Sequence, residues 1–363
     1  SRSQVRVPSQ ALFKTVSGIQ FFRTFLYIHI CINSVETVIN ICYNYNIRYK
    51  KEDYFSMNIE VTRINSEIKK NPEKYVLSAN EEYTYILQKI VDDVILHQSE
   101  RPVIVLAGPS GSGKTTTALT IGKLLTKSGH KTHTISMDNY FRSLTENEKH
   151  LSSIGKMDLE SPLRIDNELL SSHIQKISNG ETVEIPKYNF KTSSRETESV
   201  PFQRKHGELV IFEGIHALNP NVITVPDNQI YKIYVSVRTR ITCNDIILHP
   251  SKIRLMRRMI RDKNFRQRSF RETMNMFSSV EQGENKYIMP YKQRSDYDID
   301  TFMPYELSLY RNILLESLHE MNDVPELADI TKVMENLLPI ASELIPVDSM
   351  VREFIGNGEF NKN

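Results

Sequence analysis

The stretch Gly108-Pro109-Ser110-Gly111-Ser112-Gly113-Lys114-Thr115 constrains this chain more than any other. It has the spacing G-x-x-x-x-G-K-[ST] of a phosphate-binding loop, which has physical meaning only between a strand and a helix. Both flanks fit: the apolar run Val103-Ile104-Val105-Leu106-Ala107 precedes it, and a helix-compatible run from Thr116 to Leu125 follows. Glycines at 108, 111 and 113 let main-chain N–H groups approach phosphate oxygens, and the helix N-terminus adds partial positive charge. Lys114 has the reach for the β- and γ-phosphates, and the Thr115 hydroxyl suits Mg²⁺. Pro109, Ser110, Ser112 and Thr116 complete the stretch expected to surround a nucleoside triphosphate.

A chain of 363 residues has room for one large or two modest domains, and 39% hydrophobic residues are enough for a core. Its 46 basic and 44 acidic side chains leave a net charge of +2, so global charge does not point to nucleic acid. Cys31, Cys42 and Cys243 are widely spaced with no C-x-x-C pair, which predicts a reducing, cytoplasmic setting and no structural zinc. The segment 19–47 is rich in Ile, Tyr, Phe and Asn, but Arg23, His29, Asn33 and Glu36 interrupt it. No uncharged apolar run there is long enough to span a bilayer, and no cleavage-site pattern follows, so a packed helix or strand pair is expected. Residues 1–79 carry no usable motif. From 80 to 99, Tyr83, Ile86, Ile90, Val91, Val94 and Ile95 recur at helical spacing until Arg101-Pro102 ends the pattern.

Beyond the loop, 131–138 and 209–213 read as strands, each ending on a carboxylate, Asp138 and Glu213. Residues 230–238 alternate Tyr231, Ile233, Val235 and Val237 with polar or amphipathic positions, a further strand pattern. Helical spans at 166–178 and 251–263 alternate with these strands. The reading is an α/β fold, a mostly parallel sheet with helices on both faces, plus a small N-terminal extension. Such sheets bind ligands beyond the carboxyl ends of their strands, where 108–115, Asp138 and Glu213 all fall. An Asp opening a loop serves turns as well as chemistry. One strand past a phosphate loop, it is also positioned to take a proton from an acceptor hydroxyl. Glu213 can mark a return to solvent, or it can share Mg²⁺ with Thr115, since that hard cation takes one or two carboxylates plus phosphate oxygens.

Nine basic side chains crowd residues 252–271, opposite a face of Ile253, Met256 and Ile260. Three readings stand: a solvated face, a nucleic-acid surface, and a lid whose arginines neutralise a transferring phosphoryl group. The phosphate loop upstream favours the lid. The loop Pro186–Arg195 mixes aromatics with polar residues; Tyr188 and Phe190 would hold a flat ring there, with Arg195 nearby.

Together these pieces resemble the uridine kinase/phosphoribulokinase family of P-loop kinases. The resemblance is carried by Gly108–Thr115, Met137–Phe141, Pro162 with Asp166-Asn167-Glu168-Leu169, Pro186–Arg195, Phe212-Glu213-Gly214-Ile215 and Arg257-Arg258-Met259-Ile260-Arg261-Asp262. Lys187–Thr192, Glu213–Pro220 and Val351–Gly356 are similar to the bacterial uridine-kinase-like branch often fused behind a TGS domain, although 1–79 do not read as one. The resemblance implies a P-loop NTPase-type, nucleoside-kinase-like domain over 80–363, with ATP and Mg²⁺ as cofactors and a nucleoside 5′-hydroxyl as acceptor. It implies Asp138 as the base, Lys114 on the phosphates, and Thr115 with Glu213 around Mg²⁺, Asp138 assisting. Arg258, Arg261, Arg266 and Arg268 match lid and substrate arginines, Tyr188 matches the aromatic beside the base, and Glu160 stands where the family has an Asp for the ribose diol. Three positions depart: Ser193 replaces a base-reading His, Met276 a Gln, and Phe141 a Tyr. The expected partner is a small molecule, uridine or cytidine, with neither membrane nor nucleic acid involved and a homo-oligomer left open. A sugar-phosphate kinase and an RNA-associated P-loop ATPase are the alternatives.

Overall fold

In the computed structural model, the described residues are 58–153 and 157–360. The helix or strand pair expected within 19–47, with Cys31 and Cys42, lies outside them. The described chain opens on a short strand, β1 (Asn58–Glu60), followed by α1 (Val61–Lys70) and α2 (Pro72–Leu96). Asn71 separates the two helices in an extended conformation, and its side chain accepts from the Lys74 amide, 2.9 Å, with Pro72 at the first helical position. That is a favourable helix start. The helix expected from residue 80 therefore begins at Pro72. It runs across the anticipated 79/80 division, and Ile59, Val61, Ile64, Ile68 and Val76 are buried in the same core as the later elements.

The sheet-forming part comprises β2 (Val103–Ala107), α3 (Lys114–Lys127), β3 (Thr132–Ser136), α4 (Glu146–Ser153) and α5 (Asn167–Ser178). A hairpin, β4 (Thr182–Asn189) and β5 (Ser194–Gln203), leads to β6 (Leu209–Glu213) and β7 (Ile230–Ser236). Next come β8 (Arg240–Cys243), β9 (Ile246–Leu248), α6 (Pro250–Arg266), α7 (Phe270–Tyr287) and β10 (Tyr297–Asp300). The chain ends with α8 (Glu306–Glu320), α9 (Ala328–Asn336) and the short α10 (Arg352–Ile355).

Five parallel strands form the central sheet in the order β10-β7-β2-β6-β3. Side chains alternate between its faces as the pleat requires. Val103, Val105, Val210 and Phe212 pack with α5 and β4 on one side. Ile104, Leu106, Leu209 and Ile211 pack on the other with α2, α3, α6 and α8. The strand pattern over 230–238 is β7, and despite its alternation every residue from Ile230 to Ser236 is buried. Lys232 is held there by Asp227 at 3.0 Å. β1 pairs in parallel with β8 in a second, three-stranded sheet. From β2 the chain passes to the edge strand β3, returns to β6, then crosses to β7 on the far side of β2. This reversal opens a crevice at the strand ends, the usual ligand position in such sheets.

The basic stretch is also corrected in part. Arg257 does not belong to a solvated or mobile face: it is 0% exposed. Its Nε and Nη2 donate to the two carboxylate oxygens of Glu306 at 2.7 and 2.8 Å, and Nη2 also donates to the Thr301 carbonyl at 2.7 Å. The Phe354 ring lies beneath its guanidinium. Breaking a buried pair on one side strands the other charge, at a cost of about 3–5 kcal/mol. Arg257→Met should therefore lose about that much stability in urea unfolding, while Arg257→Met with Glu306→Leu recovers a large part. Equal stability of Arg257→Met and wild type would show that the pair holds nothing together.

Candidate active site

The phosphate loop faces outward because its carbonyls are occupied from behind. Arg254 Nη1 donates to the Ser110 carbonyl (3.2 Å), Arg257 Nη1 to that of Gly111 (3.2 Å), and Thr301 Oγ1 to that of Ser112 (2.7 Å). Three consecutive carbonyls thus point into the protein. Gly113, at φ +82°, turns the chain into α3, and a Cβ there would lie 2.7 Å from Met350 Sδ. At Gly108 a Cβ would collide with the Val235 carbonyl, so strand β7 itself demands glycine at that point. Lys114 Nζ donates to the Pro109 carbonyl at 3.0 Å, and the Thr115 side chain is exposed at the start of α3.

Register brings the carboxylates to this loop. Glu213 is aligned with Leu106 on one side and Ser136 on the other, and Asp138 follows Ser136 in a single 3₁₀ turn. Burial, and then the charge of Asp138, push Glu213 up to about 7, against the pull of Lys114 and Ser136. Asp138 retains some solvent contact, yet its crowded surroundings raise its carboxyl despite Lys114, Arg164, Arg266 and Arg261. Two neighbouring carboxylates, Asp138 raising Glu213, beside an exposed hydroxyl form a hard-oxygen set that fits a divalent cation. Among the described residues no cluster of three or more His, Cys, Asp or Glu could hold a metal by itself. The set at Thr115, Glu213 and Asp138 would need phosphate oxygens to complete it.

Across the crevice, four guanidiniums gather on the buried Asp262: Arg258 at 3.5 Å, Arg261 at 3.6 Å, Arg266 at 3.1 Å and Arg268 at 3.7 Å. One carboxylate cannot neutralise four cations. Burial, together with neighbouring guanidiniums, holds Arg258, Arg261 and Arg266 below their ordinary values. The Nε atoms of Arg258 and Arg261 are buried without hydrogen-bond partners. Arg258 also donates to the Ser110 hydroxyl at 3.0 Å, tying this basin to the loop. Gln267, in the left-handed region at φ 56°, makes the turn between α6 and α7, and a Ser269–Glu272 capping box restarts the helix.

On the remaining side, Tyr188 is buried edge-on against Phe141 and Phe190, with ring centroids 5.5 and 5.1 Å away. Glu160 packs against Gly283 of α7, and burial raises its carboxyl; it feels Arg258, Glu284 and Lys114. Arg195 is engaged by the protein: its guanidinium bonds Asp166 at 3.2 Å and the carbonyls of Tyr140 and Phe141 at 3.1 and 3.3 Å. It shapes the Asp138 turn rather than offering a free charge to the crevice. The three departures divide: Phe141 joins the aromatic group, Ser193 takes the left-handed turn of the hairpin at φ 52°, and Met276 is half-buried on α7.

Several site residues escaped the sequence reading. Arg164 stacks over Phe141 at 4.4 Å and donates to the Tyr188 hydroxyl at 3.4 Å. Glu284 accepts from the Ser110 amide at 3.2 Å and pairs with Arg254. His216, 1% exposed, has neither ring nitrogen hydrogen-bonded, and burial pushes its imidazole down to about 4. Glu353 reaches the Thr116 amide from the far C-terminal segment. His216, three residues past Glu213, and Glu353, within Val351–Gly356, stood in stretches already singled out, but neither carried an assigned role.

Three comparisons bear on the chain. The model of the family described as "Phosphoribulokinase / Uridine kinase family" matches residues 103–307. Uridine kinase of Staphylococcus haemolyticus is 31% identical over 197 residues, covering 53% of this chain and 84% of that protein. Uridine kinase of Staphylococcus epidermidis is 30% identical over 201 residues, covering 54% and 86% respectively. Among solved structures, a putative fructose transport system kinase from Silicibacter sp. superposes with a TM-score of 0.42 at 14% identity, covering 59% of this chain and 98% of that one. No helix among the described residues is long and apolar enough to cross a membrane.

The raised Glu213 carboxyl has a measurable consequence. Between the usual carboxylate range and about 7, the native state keeps a proton that the unfolded chain has released. Stability falls as pH rises through that window. In protein stripped of nucleotide and divalent cations, the urea midpoint should be lower at pH 7.5 than at pH 5.5, and Glu213→Gln should reduce this difference. An unchanged pH dependence in the variant would contradict the assignment.

Proposed function

The chain belongs to the phosphoribulokinase / uridine kinase family of P-loop kinases, and on that premise we propose that it phosphorylates the 5′-hydroxyl of a pyrimidine nucleoside, uridine or cytidine, with ATP and Mg²⁺. As a kinase it transfers a phosphoryl group to a hydroxyl acceptor. The observation that carries the finer reading is the convergence of Asp138 with Lys114, Arg261 and Arg266, whose charges all act on its carboxyl. Curated relatives named uridine kinase support the acceptor class.

In this reading Lys114 and the outward-facing amides of 108–116 hold the donor's phosphates, with Thr115 and Glu213 as the metal's protein ligands. Thr115 and Glu213 would hold Mg²⁺, which would supply charge neutralisation for the donor's phosphates. Asp138 accepts the proton of the acceptor hydroxyl as that oxygen attacks the γ-phosphorus in line, and the bond from that phosphorus to the β,γ-bridging oxygen breaks, so that ADP leaves. Its raised pKa makes it a stronger base than an ordinary carboxylate, and Lys114 and the nearby arginines favour its ionised form. Arg258, Arg261 and Arg266 face the charge of the transferring group, with Arg268 bordering the acceptor. Phosphoryl transfer depends mainly on such positioning and electrostatic stabilisation. Glu160 takes hydroxyls of the acceptor's sugar, while Tyr188 and the aromatic group behind it flank the base. Arg195 holds the wall that carries Asp138.

Asp138→Asn should lower kcat by about 10²–10⁴-fold, the usual contribution of general-base help, with ATP affinity by calorimetry within about threefold of wild type. Near-normal turnover would remove Asp138 from this role. A coupled ADP-release assay over uridine, cytidine, ribulose 5-phosphate and pantothenate tests the acceptor. Uridine or cytidine alone should turn over; turnover of ribulose 5-phosphate alone would transfer the chain to the sugar-phosphate branch.

A further inference from the structure

The amide of Thr116, in the first turn of α3, is one of the groups expected to meet the donor's phosphates. It is already engaged. Glu353, on α10, accepts from it at 3.0 Å. The residue lies outside 103–307, the part of the chain matched by the family model.

The segment carrying Glu353 is anchored along its length. Met350 Sδ packs against Gly113 at the end of the phosphate loop. Phe354 lies under the Arg257 guanidinium, and its carbonyl accepts from Asn264 Nδ2 at 3.2 Å. Lys123 of α3 pairs with Glu359 at 2.6 Å. The C-terminal strap therefore straddles the start of α3 and aims one carboxylate at it.

Two carboxylates contact loop amides, and they differ. Glu284, on the Ser110 amide, is buried and paired with Arg254, so its charge is offset. Glu353 is half-exposed and forms no direct ion pair among the described residues; Arg261 and Glu213 both feel its charge. A helix N-terminus favours an anion, and a carboxylate and a phosphate oxygen compete for the same amide.

We propose that Glu353 is a donor-site residue: its carboxylate holds a phosphate seat at the start of α3 in the empty enzyme, and the donor takes that seat by displacing it. The residue thereby sets how tightly the enzyme holds its donor, its side chain swinging aside while the anchored strap stays in place. The inference rests on the phosphate loop receiving the donor's phosphates, as in the proposed function, but not on the acceptor or on adenine.

The test compares binding of inorganic tripolyphosphate, without metal, to wild type and to Glu353→Gln by titration calorimetry. The substitution keeps the side chain's shape and removes its charge. Tripolyphosphate should bind about three- to thirtyfold more tightly to the variant, the range an anion at a helix start commands. Equal affinity would overturn the inference, and weaker binding would show the carboxylate assisting the donor instead. Glu353→Asp, which retracts the carboxylate by one methylene, should shift affinity in the same direction and serves if the first variant does not fold; unchanged or weaker binding there also overturns it. In wild type the Thr116 amide resonance should move on addition of tripolyphosphate. Failure of every nucleoside in the acceptor assay would leave this comparison intact, so the two readings fail separately.

Discussion

A phosphate loop works only if its amides point at the ligand, which forces its carbonyls the other way, into protein, where unpaired acceptors are costly. Arg254, Arg257 and Thr301 meet that demand for Ser110, Gly111 and Ser112 in turn. Arg257 is the centre of the arrangement, since the same guanidinium is clamped by Glu306 and donates to the Thr301 carbonyl. The loop's conformation is thus held by α6, α8 and the segment after β10, as well as by its glycines. A carboxylate at 306 is needed because an arginine this deep requires a counter-charge.

The crevice is electrostatically unbalanced on both sides. Asp138 raises Glu213, and four arginines share Asp262. Each imbalance is of the sign that a metal-bound polyphosphate would relieve, cation toward the carboxylates and anion toward the arginines. Fixed charges arranged in advance of the ligand need no reorganisation during transfer, which is where such sites gain most.

Much of this was legible in the chain itself. The loop between an apolar run and a helix, the carboxylates closing β3 and β6, and the strand–helix alternation are local patterns, and they led to the parallel sheet. What sequence could not separate was Arg257 from Arg258. They are neighbours in one basic run, yet one is a buried peg and the other faces the basin, and only the distant Glu306 and Asp262 distinguish them. Glu284 and Glu353 were hidden for the same reason: each meets the loop from far along the chain. The period over 230–238 located strand β7 but not its full burial: Lys232 lies buried beside Asp227, so polarity there does not mean exposure. The helix read from residue 80 starts earlier, at Pro72, because Asn71 and Pro72 supply its start.

The strand order has a consequence for how the molecule comes into being. β2 lies at the centre of the sheet, and its partners are β6 and β7, with Val103 facing Val210 on one side and Ile230 on the other. No local hairpin can satisfy it, so the early part of a growing chain must wait, its central strand bare, until much later residues arrive. Such long-range pairings make for slow closure and prolonged exposure of apolar edges. The loop's last supports, Thr301 and Glu306, are synthesised later still. Nucleotide-binding competence and completion of the fold therefore arrive together.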